Sequence, residues 1–368
     1  MQIKQARLYQ VDLPLNRPFT TSAVHMIAKK TIILALMDAD GTIGYGECAA
    51  LEFPFYSEEF RAGAWQLLIT ELLPLVIGHE INHPDETEQL FSHFRKNKMA
   101  KSAVNSALWD LYAKQHHESL AQALGGQKTR VETGVSIGIQ ASPSALVETV
   151  HDYLEQGYRR IKMKIRPGKD VEYLRAVRER FPDAVLTADA NSAYRLSDVD
   201  LLKQLDDLDL QMIEQPLETG DLIDHATLQE QLQTPLCLDE SIVELADVRK
   251  MAQLGSGRII NIKVSRVGGL TAARDIQQYA AQHGIDCWGG GMLDAGVQRA
   301  QDIAAATLPG YTLANDIAPS ARYFNEDIIE PLVQLDGAYI DVPTTPGMGF
   351  AINWPVLHKF TVQTTEIK

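Results

Sequence analysis

Five ionisable residues, Lys164, Asp189, Glu214, Asp239 and Lys263, recur along this chain at intervals of 25, 25, 25 and 24 residues. Each stands at or near the C-terminal end of a short, largely apolar run: RRIKMKI, VLTADAN, QMIEQP, PLCLDE and IINIKV. A strand, a crossover helix and two short loops occupy about that length. The interval therefore assigns one ionisable group to each βα unit, all delivered to the same end of a parallel barrel. From Val131 onward strand and helix patterns alternate strictly, with candidate strands at 131–138, 159–165, 185–191, 211–216, 235–240, 259–264, 286–291 and 311–316. Eight strands close a (β/α)8 barrel.

Ahead of this region the pattern differs. Residues 2–13, 28–37 and 42–48 alternate or cluster β-formers around the turn Asp40-Gly41, which predicts a three-stranded antiparallel meander. Helical periods follow from Ser57 to Gly78 and from Ser102 to Leu124, the second stopped by Gly125-Gly126. Strands followed by helices make residues 1–125 an α+β unit. The expected class is thus α/β: a (β/α)8-type barrel over 126–325, with an α+β capping domain built from residues 1–125 and a tail, 326–368, that returns to it. The length of 368 residues suits a barrel of about 250 plus an attached domain.

Strand parity decides whether the five groups can meet, because residues i and i+2 share a face. Lys162 and Lys164 point one way while Ile161, Met163 and Ile165 point towards the helices. The same parity groups Thr187, Asp189 and Asn191, sets Glu214 against Ile213 and Asp239 against Leu238, and places Lys263 with Asn261. Inward charges on five neighbouring strands are too costly unless paired or bound to metal. A lone acid at a strand end reads equally well as the cap of the next helix; five in register do not. Three carboxylates without His or Cys favour a hard cation, Mg²⁺ with Mn²⁺ as substitute. With a divalent ion and Lys162, Lys164 and Lys263 the site sums to +2, or +1 with one lysine neutral, which suits an anionic small molecule, most simply a carboxylate. Lysines acting as bases there need depressed pKa values, supplied by neighbouring cations. The chemistry implied is proton abstraction α to a carboxylate.

Other features narrow the setting. A net charge of −14 without a basic run makes nucleic acid and anionic membrane surfaces poor partners. No 18-residue apolar stretch exists and the N-terminus lacks a signal h-region, so a cytoplasmic protein without a membrane span is expected. Cys48, Cys237 and Cys287 lie in apolar runs and read as reduced core thiols. Trp288-Gly289-Gly290-Gly291-Met292 is no dinucleotide fingerprint; its glycines suggest close approach of substrate to the seventh strand. Asn315-Asp316 reads as the cap of a following helix rather than as site lining, and His116-His117 as a solvated helix face.

KMKI at 162–165, TADANSAY at 187–194, MIEQP at 212–216, CLDES at 237–241, INIKVSRVGG at 260–269 and GGMLDAG at 290–296 together resemble the enolase superfamily. Within its muconate-lactonizing-enzyme-like subgroup they are most similar to the o-succinylbenzoate synthase and N-succinylamino acid racemase family. The resemblance spans the whole chain. It implies that Asp189, Glu214 and Asp239 bind Mg²⁺ and that Lys164 is the general base, tuned by Lys162. Lys263 would stabilise an enediolate or act as the opposite-face base, and Arg266 would influence it. Asn191, Arg266, Gly291, Met292 and Ser22 become candidate substrate-binding residues, Ser22 on a loop from Pro18 folding over the barrel mouth. A homo-oligomer is also expected. The implied reactions are dehydration of 2-succinyl-6-hydroxy-2,4-cyclohexadiene-1-carboxylate in menaquinone biosynthesis, and N-succinylamino acid racemisation by Lys164 and Lys263. A dipeptide epimerase is disfavoured because GGGMLDAG lacks an Asp-x-Asp signature. A Schiff-base aldolase or a non-catalytic barrel protein are the readings from other classes. Asp294, Gln298 and Asn315 depart from the Glu, Gly and Gly usual in that family.

Overall fold

The computed structural model describes residues 1–20 and 25–368, with Phe19 and Thr20 described by their backbone only. Ser22 and the tip of its loop therefore lie outside the described residues. The N-terminal β-formers build β1 (Ile3–Thr20), β2 (His25–Asp38) and β3 (Ile43–Cys48). They pair antiparallel in sequence order, with Leu8 opposite Leu34 and Leu34 opposite Gly46. The helix Lys98–Gln115 covers one face of this sheet and buries Ala100, Ala103, Val104, Ala107, Leu108 and Leu111 against Leu8, Leu34 and Leu36. Each buried leucine contributes about 2 kcal/mol. Gly46 is what lets the helix come so close: a Cβ there would lie 1.9 Å from the Ala103 carbonyl oxygen.

Both helical expectations in this unit shift at their ends. The first helix begins at Arg61 and not at Ser57, continuing from Leu67 through a π turn, Leu68–Leu72, and a 3-10 turn, Leu73–Leu75. Glu59 caps the other helix instead, its carboxylate accepting from Met99 N at 2.8 Å and Ala100 N at 3.1 Å. The second stretch is two helices, Lys98–Gln115 and Leu120–Leu124. Ser119 and Gln122 form a reciprocal cap that starts the shorter one. His116 and His117 stand in the intervening turn, exposed, with His117 at φ 57°.

The expected strand at 131–138 splits in two. β4 (Arg130–Glu132) leaves the barrel sheet, whereas β5 (Val135–Ile137) joins it. Next come β6 (Arg160–Lys164), β7 (Val185–Asp189), β8 (Met212–Glu214), β9 (Leu236–Leu238), β10 (Ile259–Ile262) and β11 (Asp286–Gly289). These seven lie in sequence order in one parallel sheet, curled as a half-barrel and flanked by helices. The eighth candidate, 311–316, is not a strand, although it meets both edges of the sheet. Asp316 N donates to Gly289 O at 2.8 Å, and Gly134 N donates to Asn315 O at 2.7 Å. The Asn315 carboxamide replaces one ladder acceptor, taking Gly289 N at 2.7 Å, and reinforces the other edge, donating to Glu132 O at 3.0 Å beside its own backbone N at 2.9 Å. On the Gly289 side a side chain thus occupies the place of a backbone acceptor.

After the sheet, β12 (Ile329–Glu330) pairs with β14 (Ala351–Ile352), and β13 (Tyr339–Asp341) pairs antiparallel with β4. β15 (Thr361–Ile367) then runs antiparallel along β1, giving the order β15-β1-β2-β3. Behind the curled sheet, Ile161, Met163 and Ile165 pack with Leu174, Val177 and Leu202. All three cysteines are free and buried. Among the described residues, no helix is long and apolar enough to cross a membrane.

Candidate active site

Parallel register lines up the strand ends. Lys164 of β6 pairs across with Asp189 of β7, and Asp189 with Glu214 of β8. Asp239 and Lys263 follow immediately after β9 and β10. Buried Gln215 fixes the turn that carries Asp239: its side-chain oxygen accepts from Asp239 N at 3.0 Å and Ser241 N at 3.2 Å. Its amide nitrogen donates to Ser241 Oγ at 2.8 Å and Leu217 O at 3.2 Å.

The five recurring groups form one network. Lys164 Nζ is 2.6 Å from Asp189 Oδ2 and 2.6 Å from Asn191 Oδ1. Lys162 Nζ stands 3.3 Å from Asp189 Oδ2, 3.1 Å from Glu214 Oε2 and 2.7 Å from Asp316 Oδ2, and 4.7 Å from the centre of the Trp288 ring. Lys263 Nζ donates to Asp239 Oδ2 at 2.8 Å and to Tyr56 Oη at 3.0 Å. Arg266 is buried behind Asp239. Its guanidinium bonds Asp239 Oδ1, Tyr56 Oη, Ile242 O and Asn261 O. Asp189, Glu214 and Asp239 are buried, whereas Lys164 keeps 29% of its side chain exposed towards the mouth.

The structure adds groups that sequence reasoning missed. Asp316 had been read chiefly as a helix cap; the next helix starts at Ser320 with Pro319 at its cap, and Asp316 instead pairs with Lys162 and Arg160. Asn261, on the inward face that parity assigns to it, donates to Glu214 Oε1 at 3.0 Å. Glu240 accepts from Asn191 Nδ2 at 3.2 Å. Tyr56 comes from the N-terminal unit. A signal existed for Asp316, the last residue of the eighth candidate strand, and for Glu240, next to Asp239. None existed for Tyr56. Arg160, Arg266, Asp316 and Glu240 add two charges of each sign, so the charge sum read from sequence is unchanged.

Two residues of the seventh-strand loop behave differently from each other. Gly291 is exposed, while Met292 turns into the core of the N-terminal unit and its carbonyl accepts from buried Lys29 at 2.9 Å. Protein contacts also require the neighbouring glycine: a Cβ on Gly290 would lie 2.3 Å from Asn261 Oδ1. The three departures from the family pattern also find partners. Asp294 Oδ2 accepts from Met292 N at 2.6 Å, Gln298 Nε2 donates to Asp302 Oδ1 at 2.8 Å, and Asn315 bridges the sheet edges.

Burial disfavours charge on Lys162 and Lys263, yet the carboxylates beside them win. Asp316, Glu214 and Asp189 hold Lys162 well above its usual pKa, and Asp239 holds Lys263 above its own. Acids face these two ammonium groups directly. Asp239 is burdened by burial but held low by Lys263 and Arg266. Glu214 is pushed up to about 8 by burial and by Asp189 beside it. Among the described residues no three acid, His or Cys side chains stand ready as a metal cluster; each strand-end carboxylate faces a lysine or arginine instead. The donor set still fits a hard divalent ion. It is all oxygen, its three carboxyl groups stand at the ends of neighbouring strands, and Glu240 Oε2 is buried without a hydrogen-bond partner among the described residues.

Residues 3–125 match the N-terminal domain family of mandelate racemase and muconate lactonizing enzyme, and residues 145–356 match the enolase C-terminal domain-like family. The chain belongs to the enolase superfamily. Within it, the chain is 48% identical to an o-succinylbenzoate synthase of Geobacillus stearothermophilus, over 98% of this chain and 96% of that one. It is 44% identical to an N-succinylamino acid racemase of Thermus thermophilus, over 98% of each. The crystal structure of an enolase superfamily member from Listeria innocua superposes with a TM-score of 0.98 at 44% identity, covering 100% of this chain and 99% of that one.

Proposed function

We propose that this enolase superfamily member is an o-succinylbenzoate synthase that removes water from 2-succinyl-6-hydroxy-2,4-cyclohexadiene-1-carboxylate, and that the same site racemises N-succinylamino acids. The observation that carries this reading is the placement of two lysines at the far ends of one acidic row: Lys164 at the end of β6 and Lys263 just after β10, with Asp189, Glu214 and Asp239 between them. In the dehydration, Lys164 takes the proton α to the carboxylate, Lys263 faces the developing enediolate as a cation, and the hydroxyl leaves as water with the proton held by Lys164. In the racemisation, one lysine removes the α-proton and the other returns a proton on the opposite face.

Asp189, Glu214 and Asp239 would hold Mg²⁺, or Mn²⁺ in its place, and the ion would supply positive charge towards the substrate carboxylate while relieving the lysines of their acid partners. Lys162 positions Asp189 and Glu214, and Asn191 and Gly291 line the mouth. The reading includes a closed barrel over 126–325, its eighth position taken by the irregular segment 311–316. A capping domain is formed by 1–125 with 326–368, and the enzyme is a cytoplasmic homo-oligomer.

The test is a paired assay in D₂O with Mg²⁺. One arm follows loss of the cyclohexadiene substrate and the other α-deuterium uptake into each enantiomer of an N-succinylamino acid. Both arms are expected to stop on chelation and resume with Mg²⁺, whereas full activity after chelation would favour a Schiff-base mechanism. Lys263→Ala should stop racemisation and confine exchange to one enantiomer; exchange of both in that variant would overturn the two-base assignment.

A further inference from the structure

We infer that Tyr56 is a positioning residue through which the N-terminal unit controls Lys263 but not Lys164, and so sets the balance between racemisation and dehydration. This rests on the two-base reading above. The lysines are held by different parts of the molecule. Both partners of Lys164, Asp189 and Asn191, belong to the end of the adjacent barrel strand. Lys263 has one barrel partner, Asp239, and one partner from outside the barrel, the Tyr56 hydroxyl at 3.0 Å.

Tyr56 closes a ring of four groups. Its oxygen accepts from Lys263 Nζ at 3.0 Å and from Arg266 Nη1 at 3.0 Å, and both cations also bond Asp239, one on each carboxylate oxygen. Lys263 Nζ also sits 5.1 Å from the centre of the phenol ring. A lysine head on a four-carbon stem is poorly fixed by one acceptor, since the ammonium can swing about it. A second acceptor, aromatic and stiff, sets its direction. Tyr56 itself rides on the irregular segment after β3. That segment is pinned by Arg61 N donating to Leu51 O at 2.7 Å and by Glu59 on the backbone of Met99 and Ala100.

The consequence differs between the two reactions. Racemisation needs Lys263 to reach the α-carbon in line, with the same accuracy as Lys164 on the other face. Dehydration asks Lys263 only for positive charge near the enediolate, which tolerates more play. Losing the Tyr56 hydroxyl should therefore weigh on racemisation more than on dehydration.

The experiment uses the full-length, Mg²⁺-loaded protein with Tyr56→Phe, which removes one oxygen and keeps the ring. Alpha-deuterium exchange is measured separately for each enantiomer of an N-succinylamino acid, with diene dehydration and thermal midpoint alongside. Lys263→Ala identifies which enantiomer faces Lys263. The expected result is a shift of about tenfold in the ratio of the two exchange rates, against the enantiomer facing Lys263, with racemisation falling further than dehydration. An unchanged ratio, including equal loss for both enantiomers with or without a lowered midpoint, would overturn the inference. Wild-type protein that exchanges neither enantiomer would instead overturn the two-base reading, and the inference with it, before any substitution is made.

Discussion

Gln215 offers the sharpest test of how the site is held, because its carboxamide serves four partners from a fully buried position. Replacing it with leucine keeps the volume roughly constant and removes every polar atom. Asp239 N and Ser241 N then lose their acceptor, and Ser241 Oγ and Leu217 O lose a donor. An orphaned buried backbone N–H costs about 1–3 kcal/mol, so the two amides alone imply a loss of about 4 kcal/mol. Measured against a typical total of about 5–15 kcal/mol, Gln215→Leu should fold at low temperature but unfold at clearly lower urea. Its m value should match that of the wild type. Activity should fall beyond what stability explains, since Asp239 holds Lys263 and Arg266. Ser241→Ala removes one anchor of the carboxamide and the acceptor of Gly220 N, and should cost about 1–2 kcal/mol. The assay is equilibrium urea unfolding of the three proteins with a parallel rate measurement. A Gln215→Leu protein within about 1 kcal/mol of wild type would refute the reasoning.

Two other substitutions test separate parts of the fold. Glu59 is pushed up to about 7 from an ordinary 4.5, first by burial and against the pull of the Met99 and Ala100 amides. Its favourable contribution is thus complete below pH 4.5 and lost as pH rises through 7, a change of about 3 kcal/mol in all. Urea unfolding from pH 5.5 to 8.5 should show Glu59→Gln gaining about 2 kcal/mol on the wild type, and parallel pH curves would refute this. Gly290→Ala would press a Cβ to 2.3 Å from Asn261 Oδ1 and displace the residue that bonds Glu214. It should cost about 1–3 kcal/mol, part of which Asn261→Ala in the same chain should restore. Strictly additive losses in that double variant would count against a direct clash.

What could be read in the sequence, and what could not, follows from how far each group's partners lie along the chain. The row from Lys164 to Lys263 was readable because every member has its own βα unit, and the unit's length repeats. Parity then assigned the faces, and the register of β6, β7 and β8 sets Lys164, Asp189 and Glu214 side by side. The eighth strand was misread because its pairing shrinks to isolated bridges, and on the Gly289 side the Asn315 side chain takes the place of a backbone acceptor; no hydropathy pattern records that exchange. Asp316 was misread because a helix cap and an ion-pair partner ask for the same residue type. The first helix start was misread for a related reason. Ser57-Glu58-Glu59 has the composition of an N-terminus, yet Glu59 caps a helix 40 residues further on. Tyr56 lies 207 residues from Lys263, in a segment without a period. Nothing local distinguishes its hydroxyl from that of any other loop tyrosine. The half of the site that removes a proton is thus written into a repeat. The half that aims the second base depends on a contact between units, which only the folded arrangement reveals. It follows that changes in the 49–60 segment can shift the reaction balance of this barrel without altering any member of the 25-residue row.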